Sequence, residues 1–321
     1  MIDFRYHVVS IVAVFLALAL GIVIGTYTIN GEVLKNIRHQ VSSLRGENDG
    51  LRGRIQELER DKRQADALVK GVSPLVLENR LARQRVVLIL APGGSQGVAN
   101  GVKDAVVAAG GTVSATVKLD KNWSDPKQAA VVGDLATRLV EPGVALPDGT
   151  AYERAGRVLA SALLRHPPSV TSTDAGQLSS ADAEALAGFK TAHLMSVSPS
   201  RPEPATLAVL VVGNAPSEPN DLTKAAATTI TDLATELDAA GGGAVVIGPN
   251  TAAQNGGVIA VARSDGDTRK SVSTVDDADT ESGRIRVVLA LAAELGNTSG
   301  QYGIGPGANA PLPSPAPLPT P

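Results

Sequence analysis

Arg85-Val86-Val87-Leu88-Ile89-Leu90-Ala91-Pro92-Gly93-Gly94-Ser95 is an apolar run of strand length halted by a proline and two glycines. A run without polar alternation suits a strand buried on both faces, and the glycine turn suits a change of direction into a helix. Residues 96–109 follow at helical spacing and close on Gly110-Gly111, after which 112–117 reads as a second strand. Strand, helix, strand is the opening of a parallel sheet.

Downstream the same grammar returns. An Ala/Leu-rich region predicts helices over 128–139, 152–164 and 181–190, interrupted by His166-Pro167-Pro168-Ser169. Leu207-Ala208-Val209-Leu210-Val211-Val212-Gly213-Asn214 repeats the first strand and its turn, 222–239 is helical, and Gly241-Gly242-Gly243 leads into a strand at 244–247. Val258-Ile259-Ala260-Val261 reads as a further short strand, and 282–295 as a helix with Arg284 and Arg286 near its start. The expectation is an α/β body over 71–305, Rossmann-like and mostly parallel, with helices on both faces. Two similar halves meet near residue 200, through duplication or through the shared grammar of βα units. Residues 306–321 alternate Pro with Ala, Leu and Ser and predict an extended tail without a core.

Upstream, the stretch from Val8 to Ile29 carries no charge and, at about 1.5 Å per residue, is long enough to cross a hydrocarbon core of roughly 30 Å. Residues 1–29 are therefore read as a short tail and a transmembrane anchor. Gly21-Ile22-Val23-Ile24-Gly25-Thr26 does not resemble a signal-peptidase site, which favours an uncleaved anchor. Arg5 ahead of the segment and Lys35, Arg38 and Glu32 behind it nearly balance, so the positive-inside rule hardly votes. A short leading tail favours a single-pass cell-membrane protein whose body lies outside the cytoplasm.

Residues 30–70 form a heptad repeat. Leu34, Val41, Asn48, Ile55, Lys62 and Val69 fall at a, and Ile37, Leu44, Leu51, Leu58 and Ala65 at d. β-branched residues at a, Leu at d and one Asn at a predict a parallel two-stranded coiled coil, with the chain itself as partner. Glu47 would face Arg52 and Arg54 would face Glu59 across the pair, whereas Asp61 would face Asp66, so the upper stalk should fray. Gly46, Gly50 and Gly53 on the outward face read as tolerated surface glycines of a weak coiled coil, with a softened stretch or a face that accepts a partner helix as the alternative.

Composition excludes several classes. With no cysteine there is neither thiolate catalysis nor a thiolate metal site. A net charge of -3 and three phenylalanines give no basic face with interleaved aromatics, so nucleic acid is not an expected partner. Gly93-Gly94-Ser95-Gln96-Gly97 matches G-x-S-x-G, with Asp174 and His193 later in the order a hydrolase needs, but Ser95 reads better as a helix cap. The same turn lacks the spacing and lysine of a phosphate loop. His7, His39 and His166 are isolated. Asp276-Asp277-Ala278-Asp279-Thr280-Glu281 suits a hard cation or the cap and first-turn charge of the following helix, with capping preferred. No enzyme and no cofactor are expected.

Met1-Ile2-Asp3-Phe4-Arg5-Tyr6-His7-Val8-Val9-Ser10, together with the Ser273-Thr274, Asp276-Asp277, Gly283-Arg284 and Tyr302-Gly303 pairs, resembles the actinobacterial copper transport protein (MctB-like) family. The resemblance implies a cell-envelope protein concerned with copper efflux or tolerance. A second line of that family implies a partner in the envelope or septum and control of peptidoglycan cleavage during division. The residues lend copper little support: soft Cu(I) wants Cys or clustered Met, and the chain has only Met1 and Met195 with four scattered histidines. His193 with Met195 is the only adjacent donor pair. The expected function is a dimeric envelope scaffold or regulator that recruits partners, with copper efflux or tolerance as the alternative.

Overall fold

The computed structural model describes residues 4–166 and 178–313, with backbone alone over 26–34. Two compact units are present, Met1–Ala65 and Asp66–Pro321. In chain order the elements are α1 (Phe4–Leu77), β1 (Arg85–Leu90), α2 (Gln96–Ala108), β2 (Thr112–Leu119), α3 (Ala129–Leu139), α4 (Ala151–Leu163), α5 (Ser180–Thr191) and β3 (Met195–Ser198). There follow β4 (Leu207–Val211), α6 (Asp221–Ala240), β5 (Ala244–Ile247), α7 (Val258–Ser264), α8 (Thr268–Ser271), β6 (Ser273–Val275), α9 (Glu281–Glu294) and β7 (Gln301–Tyr302).

In the first unit, α1 holds the apolar stretch Phe4–Gly25, 22 residues long and apolar enough to cross a membrane, with none of it buried. Beyond it Ile37, Val41, Leu44, Asn48, Leu51, Ile55, Leu58 and Ala65 all stand exposed. The side chain of Leu34 lies outside the described residues. A Cβ at Gly46, Gly50 or Gly53 would meet nothing, so no part of the unit covers that face.

In the second unit one sheet runs β3-β2-β1-β4-β5-β6-β7. Every neighbouring pair is parallel except β2 with β3, where Leu119 opposes Met195. The strand order reverses between β1 and β4, where Leu88 pairs with Val209. Alternation along β1 sends Val87 and Ile89 into one core and Val86, Leu88 and Leu90 into the other. The first core is closed by α3, α4, α5 and α6, with Trp123 and Phe189 packed edge to face at 5.6 Å. The second is closed by α2, α9, Leu77 at the end of α1 and Leu81 in the turn that follows it.

Three expectations change. Val258-Ile259-Ala260-Val261 is not a strand but the start of α7, because Ile259, Ala262 and Arg263 are buried together at helical spacing after the Gly256-Gly257 turn. Part of the presumed tail is tied to the body: Ala310 bridges to Tyr302, and Asn309 N-H donates to the Gln301 carbonyl at 2.8 Å. The remaining tail, 314–321, lies outside the described residues. Short strands β3, β6 and β7 complete the sheet: β3 alternates over only four residues, Met195-Ser196-Val197-Ser198, and β6 and β7 offer neither alternation nor an apolar run.

Candidate functional site

The motif residues from the two ends of the body's second half converge on one end of the sheet. Helix α7 carries Arg263 into the interior, where its side chain is 3 % exposed and its partner Asp276 is fully buried. The guanidinium donates through Nη1 to Asp276 Oδ2 at 2.7 Å, through Nε to Thr274 Oγ1 at 2.8 Å, and through Nη2 to the Tyr302 carbonyl at 2.8 Å. Nη1 also reaches the Pro306 carbonyl at 2.8 Å. Asp276 in turn accepts the backbone N-H groups of Ile304 on Oδ1 and Gly305 on Oδ2, each at 2.9 Å. Thr274 donates to Gln301 Oε1 at 2.8 Å, so the charge pair and its hydroxyl neighbour are all occupied.

Burying a charge is costly unless it is paired and its remaining hydrogen-bonding capacity is met, and this cluster meets both conditions. Gly303 makes the loop fit: its φ is +130°, and a Cβ there would stand 2.2 Å from Asp276 Oδ1. Asp277, 3 % exposed, pairs with Arg286 Nη1, and Arg286 Nε donates to the Pro311 carbonyl. Two arginines therefore hold the segment 302–311 by its carbonyls.

The acidic cluster expected to cap α9 or bind a cation splits into three jobs. Thr280 alone caps, accepting Gly283 N-H at 3.0 Å, and Glu281 supplies the first-turn charge. Asp276 and Asp277 are committed to arginines. Gly283 is required because a Cβ would stand 1.8 Å from the Asp277 carbonyl oxygen. Arg284 lies over Gly101 of α2, where a Cβ would be 2.4 Å from its Nε, and donates to Glu281 Oε1 at 2.9 Å. Ser273 N-H donates to Glu294 Oε1 at 2.9 Å while its Oγ accepts Gly300 N-H at 3.0 Å.

Glu294 is the second buried carboxyl of consequence. It lines a cleft of ≈ 470 Å³ with Asp238, His166, Lys270 and the Gly241-Gly242-Gly243 turn. Burial pushes Glu294 up to about 8, and the neighbouring Asp238 charge adds to the rise. Burial also lifts Asp238 to about 6.

The other candidates are not brought together. Ser95 accepts Val98 N-H at 3.4 Å and caps α2. Asp174 lies outside the described residues, and His193 sits on the loop before edge strand β3. The crevice where strand order reverses, the usual ligand position in an open α/β sheet, is filled by its own loops. A Cβ on Gly213 would stand 2.6 Å from the Gly93 carbonyl oxygen, and one on Gly94 2.5 Å from that of Val211. His193 and Met195 do share a small hollow of ≈ 280 Å³ with Lys118, Asp120 and Ser196. His193 is exposed there, while Met195 is a core residue. Among the described residues no group of three His, Asp or Glu side chains is arranged to hold a metal ion. His7 and His39 lie apart on α1.

Arg263, Arg286, Gln301 and Glu294 complete the cluster and were not singled out by sequence for this role. A Gly256-Gly257 turn ahead of a short apolar run ending in arginine was the available signal for Arg263. The arrangement presents no exposed nucleophile and no free carboxylate pair. Its chemical capacity is to latch the C-terminal segment onto β6 and β7.

A family model described as "Copper transport outer membrane protein, MctB" matches residues 1–313. The chain is 30% identical over 325 residues to "Copper transporter MctB" of Mycobacterium tuberculosis (strain ATCC 25618 / H37Rv), covering 96% of this chain and 98% of that protein. It is 28% identical over 323 residues to "Copper transporter MctB" of Mycobacterium leprae (strain TN), with the same coverage.

Proposed function

The chain belongs to the MctB family, and from that membership we propose that it serves copper handling at the cell envelope as a membrane-anchored, non-catalytic component. The observation that carries the reading is the extent of the match, which runs from the apolar helix through the latched C-terminal segment. This favours the copper alternative over a scaffold unconnected with copper. In the finer reading the body lies outside the cytoplasm and two copies pair in parallel through α1. The exposed heptad side chains and the opposite charges at 47 with 52 and 54 with 59 support that pairing. The division-related role has no supporting feature among the described residues.

The part played is that of an accessory protein rather than a conduit. One apolar helix offers no polar lining for a pore, and an open seven-stranded sheet covered on both faces differs from the closed barrel that spans an outer membrane. Copper is the cargo of the process. The donors present, an exposed His193 beside a core Met195, make a poor resident site.

The test is disruption of the gene in its host, scored by copper sensitivity and cell-associated copper, with complementation by the parent chain and by His193→Ala combined with Met195→Leu. The expected result is heightened sensitivity on disruption and full rescue by both chains. Unchanged copper tolerance on disruption removes the copper role. Failure of the double variant, at normal protein level, moves copper onto the β3 loop.

A further inference from the structure

The coiled-coil pattern has a break that the body explains. Carried forward from Ile55, Leu58, Lys62 and Ala65, the regular seam would next use 69, 72 and 76. In the second unit Val69 and Val76 are packed against that unit's own core, beside Leu77 and Leu81. They are spent. What the same helix leaves in solvent is Leu68, 69 % exposed, Val72, 39 %, and Leu75, 78 %. Ala65, Leu68, Val72 and Leu75 repeat the three-four-three spacing of a seam, with 68 and 75 taking the places of 69 and 76.

Resting on the parallel pairing proposed above, we infer that Leu68, Val72 and Leu75 form a second contact between two copies of the chain, offset by three residues in the heptad. An offset of three overwinds a coiled coil locally, and it falls at Lys62, the one charged residue among the a positions named above. The occupant is a second copy because the stripe continues the spacing of a self-complementary repeat. In that repeat Glu47 with Arg52 and Arg54 with Glu59 pair opposite charges when two parallel chains are in register. No charged residue interrupts the stripe between 71 and 77, and leaving three large apolar side chains on one helix face in water is unfavourable without a partner.

The chain has no cysteine, so a single introduced cysteine reports a single self-contact. At a two-stranded seam the paired Cα atoms come within the roughly 4.4–6.8 Å that a disulfide needs. Leu51→Cys, Leu68→Cys, Leu75→Cys and Val69→Cys would each be made in the full-length chain in native membranes, oxidised, and scored for covalent dimer. The expected result is dimer at 51, 68 and 75 and monomer at 69. Dimer at 51 and 69 without 68 or 75 overturns the offset and leaves the regular repeat. Dimer at 51 alone overturns the second contact but not the pairing. Dimer at 68 and 75 without 51 keeps the second contact and removes the lower seam. Monomer throughout sinks both.

Discussion

The two units bury opposite things. In Met1–Ala65 the large apolar side chains that are described all face outward, whereas in Asp66–Pro321 even an aspartate is fully enclosed. In the first unit Phe4–Gly25 is long and apolar enough to cross a membrane, and the heptad side chains beyond it find no cover within the unit. The second supplies the partners of Asp276 from within, its two oxygens taking three donors, one of them charged. Stability at that buried site therefore depends on pairs brought together by folding.

That contrast breaks most visibly at Asp276. Asp276→Ala leaves Arg263 charged and unpaired in the interior, with an expected loss of about 3–5 kcal/mol in denaturant unfolding of the full chain. Replacing both members, Arg263→Met with Asp276→Leu, should cost less than either single change. Equal or greater damage from the double variant would mean that the pair is stabilising in its own right. Gly303→Ala, with φ at +130° and Asp276 in the way, should cost about 2–3 kcal/mol in the same measurement.

Glu294 adds a pH signature to the body. Its folded value near 8 lies above the ordinary 4.5, so the folded state holds a proton that the unfolded state has released between those values. Its stabilising contribution is complete below the ordinary value and disappears as pH rises through about 8. Between pH 6 and 8 the expected loss is on the order of 2 kcal/mol, from about 1.4 kcal/mol per pH unit. Glu294→Gln, which can still accept from Ser273 and donate to Ser299, should flatten that slope; a slope left unchanged would place its origin elsewhere. The smallest effect belongs to the helix. Gly50→Ala meets no neighbour and should raise helix stability by about 1 kcal/mol, read as a higher melting temperature of the helical signal.

Much of the fold was legible because its signals are local. The apolar run of β1, the cap at Ser95 and the glycine at 110, whose φ is +80°, all state their structure within a few residues. The same was true of α6 and α9. What failed was short or polar. Val258-Ile259-Ala260-Val261 is compatible with either period, and only the burial of Ala262 and Arg263 decides for a helix. Strand β6 begins Ser273-Thr274, buried polar residues that no hydrophobic pattern reveals. Strand β7 has two residues.

The site followed the same rule. Asp276 and Asp277 drew notice as an acidic cluster, but their arginines lie 13 and 9 positions away and the loop they hold lies 28 or more. Sequence by itself determined the long apolar N-terminal helix, the heptad spacing, the α/β class and the absence of thiol chemistry, because each depends on composition or on neighbours along the chain. Tertiary structure alone decided that Asp276 and Asp277 are spent on ion pairs, that residues 306–313 belong to the body, and that Val69 and Val76 face inward. Those outcomes depend on which distant groups share one buried space, where the desolvation of each charge is compensated only by a partner brought to it by folding.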